Sequence, residues 1–200
     1  MRPSRTLLGA PQEAWLFNEL KASTRADTNW RVLGQQILFS PLAPPGARIQ
    51  NADVWDGYPA ARERVLAFLE RERIGNLAIL TGDVHSSWAM DVPGRQRGER
   101  AYDGRTGSGS AGVELVAPAI SSPPLFTDAA MRDRSSLLKL FAPHLKFLEG
   151  DSRGYVLLDI TRGRLQADWY FVPNVTERSS RESKAASFVC ERGSSRLAPL

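Results

Sequence analysis

The chain has 200 residues, of which 42% are hydrophobic, and this length and composition suit one globular domain with a buried core. Its 26 basic and 22 acidic residues leave a net charge of +4, and the basic residues are scattered singly, which argues against nucleic-acid binding. The single cysteine excludes an intrachain disulfide, and no apolar run approaches the ~20 residues of a membrane span or forms a signal-peptide core, so we expect a soluble, leaderless chain.

The first part of the chain alternates helices with strands. Residues 11–23 place apolar side chains among charged ones, as in an amphipathic helix, and residues 30–42 predict a buried strand that stops before Pro41. After a long loop, residues 58–74 predict a second helix, which leads into a buried strand over residues 77–80. This alternation predicts an α/β fold, a sheet covered by helices.

The second part changes character. Residues 94–112 are polar and glycine-rich, and a short strand at 113–120 and a helical stretch at 131–142 follow them. HLKFLE comes next, and residues 153–161 and 164–172 then predict two antiparallel strands at a sheet margin, joined by a tight turn. We expect one domain over residues 1–173 and a polar tail over 174–200, with one edge strand in ASFVC.

A carboxylate and an imidazole follow the buried strand of residues 77–80. Side chains at i and i+2 point to the same side of an extended chain, so Asp83 and His85 can converge on one metal ion, which carboxylate oxygen and imidazole nitrogen both bind. The alternative is that Asp83 caps a helical turn and His85 is a hydrogen-bonded loop residue. Ser86, Ser87 and Trp88 come next, polar donors and an aromatic wall of the kind a phosphoester pocket uses.

Six segments between residues 5 and 172 resemble, in order, the later half of the alkaline phosphatase D family of metallophosphatases: RTLLGAPQEAWL, WRVLGQQILFSPL, VWDGYP, LTGDVHSSWAMD, PHLKF and RGYVLLDITRGRLQADWYFV. The resemblance implies a four-layer sandwich, with two mixed sheets face to face and helices outside. It also implies hydrolysis of phosphate monoesters, and in some members diesters, at a polynuclear site of iron and calcium. On this resemblance Asp83 and His85 match the family's late metal-binding motif, and a periplasmic or extracellular location is implied.

One departure from the family is large. Its members begin with a long region that supplies the first metal ligands, and nothing before Arg5 matches that region here. We therefore expect the chain to be the C-terminal half of an enzyme, which needs a missing N-terminal half or a partner chain. Two His and one Cys offer few further ligands, so the chain alone should bind metal poorly.

Four other residues are candidates for substrate binding, together with Trp88. Trp55, Asp56 and Tyr58 lie in VWDGYP, between a strand and a helix, and either line the mouth of a pocket or form a packed loop in which Asp56 is a turn residue. His144, in PHLKF, is the only other imidazole, and it either orients the substrate or the metal shell or is structural.

Three classes of function remain open from the sequence. The leading one is a metal-dependent phosphoesterase, in which cations activate water and neutralise the charge that develops on the phosphoryl group. The second is a non-catalytic remnant or truncated reading frame that acts through a partner or a binding surface. The third, a nucleotide or nucleic-acid binding module, rests on arginine content alone.

Overall fold

The computed structural model describes residues 4–42, 52–95, 101–124 and 142–200. Within these ranges the regular elements, in chain order, are α1 (Gly9–Arg25), β1 (Arg31–Gly34), a 3-10 turn (Trp55–Gly57), α2 (Pro59–Arg71), β2 (Leu77–Thr81), β3 (Ser87–Pro93), β4 (Ser110–Val116), β5 (Leu145–Glu149), β6 (Arg153–Ile160), β7 (Arg164–Val172), β8 (Ser183–Glu191) and β9 (Ala198–Pro199). The helical stretch predicted at 131–142 lies outside the described residues, apart from Ala142.

The first sheet is mixed, with strand order β1-β2-β4-β3-β5. Strands β1, β2 and β4 run parallel, whereas β3 is antiparallel to both of its neighbours. The run Leu77, Ala78 and Ile79 of β2 is at most 2% exposed, which confirms the prediction of a strand buried on both faces. An uninterrupted apolar run suits this position because neighbouring strands and layers cover it on every side.

The second sheet is antiparallel, with order β6-β7-β8-β9. Strands β6 and β7 pair from Arg153↔Val172 to Ile160↔Leu165, and β6 lies at the edge, as the alternation in the sequence predicted. Strand β8 includes ASFVC but runs longer and pairs with β7 over most of its length. The two residues of β9 cover its other side at Phe188 and Val189, so β8 is not the edge strand that we expected.

The two sheets pack face to face, and both helices lie on the outer face of the first sheet. Between the sheets, small and branched side chains of β2, β3 and β4 meet a second set from β7 and β8: Ala78, Ala89, Val113 and Leu115 against Leu165, Ala167, Trp169 and Phe188. On the outer face, apolar residues of α1 and α2 cover Leu77, Ile79 and Val92. In the described part of the chain this makes helix, sheet and sheet, three layers of the predicted α/β sandwich.

Neither helix in the described ranges is long and apolar enough to cross a membrane.

Two strand predictions differ from the structure. The strand expected over 30–42 ends at Gly34. The Gln35 backbone amide still donates to the Leu80 carbonyl at 3.0 Å, and its side-chain amide bonds the carbonyl of Ile37 and the hydroxyl of Thr81, so side-chain contacts take over from strand pairing after β1. Strand β3 (Ser87–Pro93) was not among the predicted strands. Ser86 and Ser87 are fully buried, and Ser86 Oγ accepts the Trp88 indole N–H at 2.6 Å, so tertiary packing overrides the polar composition.

Candidate metal and phosphoester site

Asp83 and His85 lie in a turn at the carboxyl end of β2, and both are exposed. The Gly82 amide donates to the Gln36 carbonyl at 3.1 Å, and the Val84 amide donates to the Gly82 carbonyl at 2.7 Å. The expectation of an extended chain was wrong, because Asp83 and His85 have φ of 65° and 57°, in the left-handed region. Each such residue stores roughly 1 to 3 kcal/mol of strain, which is typical of functional sites.

The orientation of His85 comes from a residue far along the chain. Its Nδ1 lies 3.0 Å from the carbonyl oxygen of Pro123. A carbonyl only accepts, so Nδ1 carries a proton, and in the neutral imidazole Nε2 then keeps the lone pair. Metal-binding histidines have this arrangement, with one nitrogen on the metal and the other donating to a carbonyl or carboxylate.

The chemistry of this turn therefore fits part of a metal shell. An exposed carboxylate and an imidazole whose Nδ1 is bonded to Pro123 are two possible donors to a metal ion. Within the described ranges no group of three or more His, Cys, Asp and Glu side chains is close enough to hold a metal ion, so metal binding by Asp83 and His85 stays a prediction.

Val84, between Asp83 and His85, packs its side chain against the protein core. Its side chain packs on a cluster on the outer face of the first sheet that includes Leu38, Val54, Trp88 and Ala142. Trp88 is 2% exposed and its indole N–H is bonded to Ser86, so the structure gives it a packing position under the turn rather than an open wall. Its part in substrate binding stays a prediction.

VWDGYP forms the 3-10 turn before α2. Trp55 is buried, and its indole N–H donates to Gln35 Oε1 at 3.2 Å. Asp56 accepts the Leu42 amide at 3.0 Å and pairs with Arg62 at 2.6 Å, so its carboxylate ties the segment after β1 to α2. These contacts agree with the alternative of a packed loop for Trp55 and Asp56.

Tyr58 is the N-cap residue of α2, and its ring lies 4.3 Å beneath the Arg5 guanidinium carbon. This cation–π contact joins the start of the chain to the turn. The ring is partly exposed, so among the VWDGYP aromatics Tyr58 is the one that still faces outward.

His144 is buried near the 3-10 turn that contains Asp56. Burial lowers its pKa to about 4, helped by the cations Lys146 and Arg62, while the Pro41 carbonyl and Asp56 act in the opposite direction. Its Nε2 has no hydrogen-bond partner in the part of the chain that the structure describes. His144 is therefore a neutral imidazole at neutral pH, within reach of the charge of Asp56, and its part in substrate binding stays a prediction.

Sequence reasoning missed Glu114, which is fully buried in β4. Its carboxylate accepts the amides of Phe39 and Ser40 at 2.9 and 2.7 Å and the Thr81 hydroxyl at 2.7 Å. The only signal in the sequence was one acidic residue inside the apolar run VELV, and a single charge in such a run does not identify its partners.

Known proteins resemble this chain along almost its whole length. The family model described as "PhoD-like phosphatase" matches residues 1–169. Alkaline phosphatase D of Bacillus subtilis (strain 168) is 40% identical over 192 residues, which are 95% of this chain and 31% of that protein. The solved "Structure of PhoD" matches with a TM-score of 0.82 and 37% identity, over 99% of this chain and 36% of that one.

The chain thus spans about a third of the length of these relatives. The matched fold has the two-sheet sandwich described above, and the family match includes both Asp83 and His85. Because the family model covers most of the chain, the chain belongs to the PhoD-like phosphatase family.

Proposed function

We propose that this chain forms part of a metal-dependent phosphoesterase that hydrolyses phosphate monoesters, with diesters as a second substrate class. The observation that carries the proposal is His85, whose Nδ1–H is held by Pro123, so that Nε2 is the nitrogen left for a metal, in the same turn of left-handed residues as Asp83. Family membership supports the phosphoesterase chemistry.

Asp83 and His85 are the metal ligands in this proposal. Carboxylate oxygen suits calcium and iron, and imidazole suits iron, so the donor set fits the two metals that the resemblance implies. A bound cation would supply Lewis-acid stabilisation of the phosphoryl oxygens and lower the pKa of an attacking water. The remaining ligands come from an N-terminal half or partner chain, since this chain spans only about a third of its relatives.

The residues proposed for substrate binding form two groups, one partly exposed and one buried. Tyr58 and Asp56, both partly exposed, contribute to the wall near the entrance of the site. Trp55, Trp88 and His144 are buried and support that wall from below. Location in the periplasm or outside the cell belongs to the same proposal and is supported by the resemblance alone.

The test is metal binding and hydrolysis by the full gene product, with calcium and iron supplied and chromogenic phosphate monoester and diester as substrates. Asp83→Asn and His85→Ala should each lower bound metal and turnover together, by about a hundredfold, because each removes a ligand. Asp159→Asn is the matched control, an exposed carboxylate of β6 in the second sheet, and should change neither.

Two results would contradict the proposal in different ways. Unchanged metal content and turnover in His85→Ala would remove His85 from the site. No hydrolysis by the unaltered protein with any metal would favour the alternative, a non-catalytic remnant. A chimera in which this chain replaces the aligned segment of the Bacillus subtilis relative separates these cases, because it supplies the rest of that protein.

A further inference from the structure

Glu114 makes an unusual set of contacts for a residue in the middle of a sheet. It lies in β4 between Ile79 of β2 and Met90 of β3, and its carboxylate is fully removed from solvent. All three of its hydrogen-bond partners donate: the successive amides of Phe39 and Ser40, and the Thr81 hydroxyl. No ion pair to Glu114 is present in the described ranges, so these donors stabilise its charge.

The contacts of Glu114 converge on the chain that flanks the Asp83–His85 turn. Thr81 is the last residue of β2, two residues before Asp83, and its hydroxyl also accepts the side-chain amide of Gln35 at 2.8 Å. The Gly82 amide in turn donates to the Gln36 carbonyl. Glu114 therefore holds both the end of β2, from which the turn starts, and the segment after β1, whose Gln36 carbonyl accepts the Gly82 amide.

A turn with two left-handed residues needs such support. Asp83 and His85 keep their φ values of 65° and 57° only while the surrounding structure opposes relaxation. On the exposed side of the turn, the Pro123 carbonyl accepts a hydrogen bond from His85. On the buried side, the hydrogen bonds among Thr81, Gln35 and Glu114 hold the end of β2. Support of this kind fixes ligand orientation, and its loss typically weakens metal binding.

We propose that Glu114 is a positioning residue for the metal-binding turn: its buried carboxylate fixes Thr81 and the Phe39–Ser40 backbone, and thereby the orientation of Asp83 and His85. This inference rests on the proposed function, because it treats these two residues as ligands. Glu114 itself touches no substrate and no metal. It acts through Thr81 and the backbone.

Glu114→Gln tests the inference with little change in volume. An amide presents one acceptor and one donor, whereas all three partners of Glu114 are donors, so at least one of them loses its acceptor. Asp91→Asn is the matched control. Asp91 is an equally buried carboxylate on the neighbouring strand β3. It accepts the Leu197 amide and the Tyr102 hydroxyl and pairs with Lys146 at 3.3 Å, and none of these partners belongs to the turn or to the segment after β1.

The measurements are iron affinity and backbone hydrogen exchange on the full gene product, because both carboxylate and imidazole bind iron. Glu114→Gln should weaken iron binding by about tenfold and, in the metal-free protein, speed exchange over residues 82–86. Asp91→Asn should leave both unchanged even where it lowers the melting temperature. Thr81→Val, which removes only the hydroxyl, should shift both measurements in the same direction as Glu114→Gln, and it carries the test if Glu114→Gln does not fold.

The inference is overturned if Glu114→Gln and Thr81→Val match Asp91→Asn in both measurements. His85→Ala separates this failure from failure of the proposed function. If His85→Ala weakens iron binding and the Glu114 and Thr81 variants do not, only the positioning role is wrong. If His85→Ala leaves iron binding unchanged, the ligand assignment is wrong, and exchange over residues 82–86 alone decides whether Glu114 holds the turn.

Discussion

The two faces of the first sheet differ in their contacts, although the same strands supply both: one face packs apolar side chains and the other carries a buried polar network. In β4, Val113 and Leu115 point to the second sheet and pack against its apolar residues. Glu114, between them, points to the helix side and bonds Phe39, Ser40 and Thr81. Strand alternation thus separates an apolar face that holds the sandwich together from a face that carries the polar contacts behind the candidate site.

This difference teaches that loss of stability and loss of the site need not go together. A cavity on the inner face should weaken the whole fold, because the apolar contacts between the sheets are continuous. Loss of a polar contact on the helix side should act locally, on the segments that it joins. The following predictions test that separation, from the largest expected effect to the smallest.

Trp169→Ala should remove apolar packing between the two sheets. Trp169 is fully buried between the sheets, its indole N–H donates to the Val116 carbonyl at 3.0 Å, and its ring meets Phe147 and Phe188. Its removal should lower the free energy of unfolding by about 4 kcal/mol in chemical denaturation, without selective change in the exchange of residues 82–86. Trp15→Ala is the control, since Trp15 is 57% exposed and should change stability by less than about 0.5 kcal/mol. A loss below about 1 kcal/mol for Trp169→Ala would contradict the prediction.

His144 predicts an acid sensitivity on the helix side. Its folded pKa is about 4 and the ordinary value is 6.5, so between these values the unfolded chain binds the proton and the folded chain does not. The free energy of unfolding should therefore fall as pH drops from about 6.5 to about 4, by about 3 kcal/mol in total, and this contribution should level off below pH 4.

His144→Gln should remove that contribution. Chemical denaturation of both proteins from pH 7 to pH 4 gives the free energy of unfolding at each pH. The difference between the two pH dependences is the contribution of His144, because the carboxylates titrate in both proteins and their effect is subtracted. His85→Gln is the control, because this exposed imidazole is the only other histidine in the chain. If the free energy of unfolding depends on pH in the same way for the unaltered protein and for His144→Gln, burial of His144 does not cause the loss of stability in acid.

Gln35→Ala tests one link of the polar network without touching Glu114. The change leaves the buried Trp55 indole N–H without its acceptor and removes the donor to Thr81. Stability should fall by about 1 to 2 kcal/mol, and exchange should rise first in residues 36–40 and 82–86. Gln166→Ala is the matched control, because among the described residues the Gln166 side chain bonds only the nearby Asp168 in the second sheet. Equal effects from the two variants would show that the network is no more than an ordinary surface contact.

Glu13→Gln should have the smallest effect. Glu13 of α1 receives two hydrogen bonds of 2.7 Å from Arg64 of α2, and this contact raises the pKa of the arginine. The pair is partly exposed, so its loss should lower the free energy of unfolding by about 0.5 kcal/mol at low salt. The difference should vanish near 1 M salt, where screening is nearly complete. A difference that persists at high salt would indicate a packing role for Glu13.

Much of the architecture was predictable because it follows from local periodicity. The apolar run of β2, the alternation of β6 and β7 and the amphipathic helices α1 and α2 all have patterns that only one kind of element satisfies. Strand β3 was not predictable in this way. Its polar residues Ser87 and Asp91 are fully buried, and the partners of Asp91, Tyr102 and Leu197, come from other parts of the chain.

The sequence by itself determined the resemblance to the family and thereby the prediction that Asp83 and His85 bind metal, because side-chain chemistry and six ordered segments are properties of the chain alone. Only the tertiary structure decided how that pair is held. The His85 ring bonds Pro123, 38 residues away, and Glu114 reaches Ser40, 74 residues away. The physical reason is that a buried donor or acceptor takes whichever partner the packed strands bring within about 3 Å, and no local pattern records that choice.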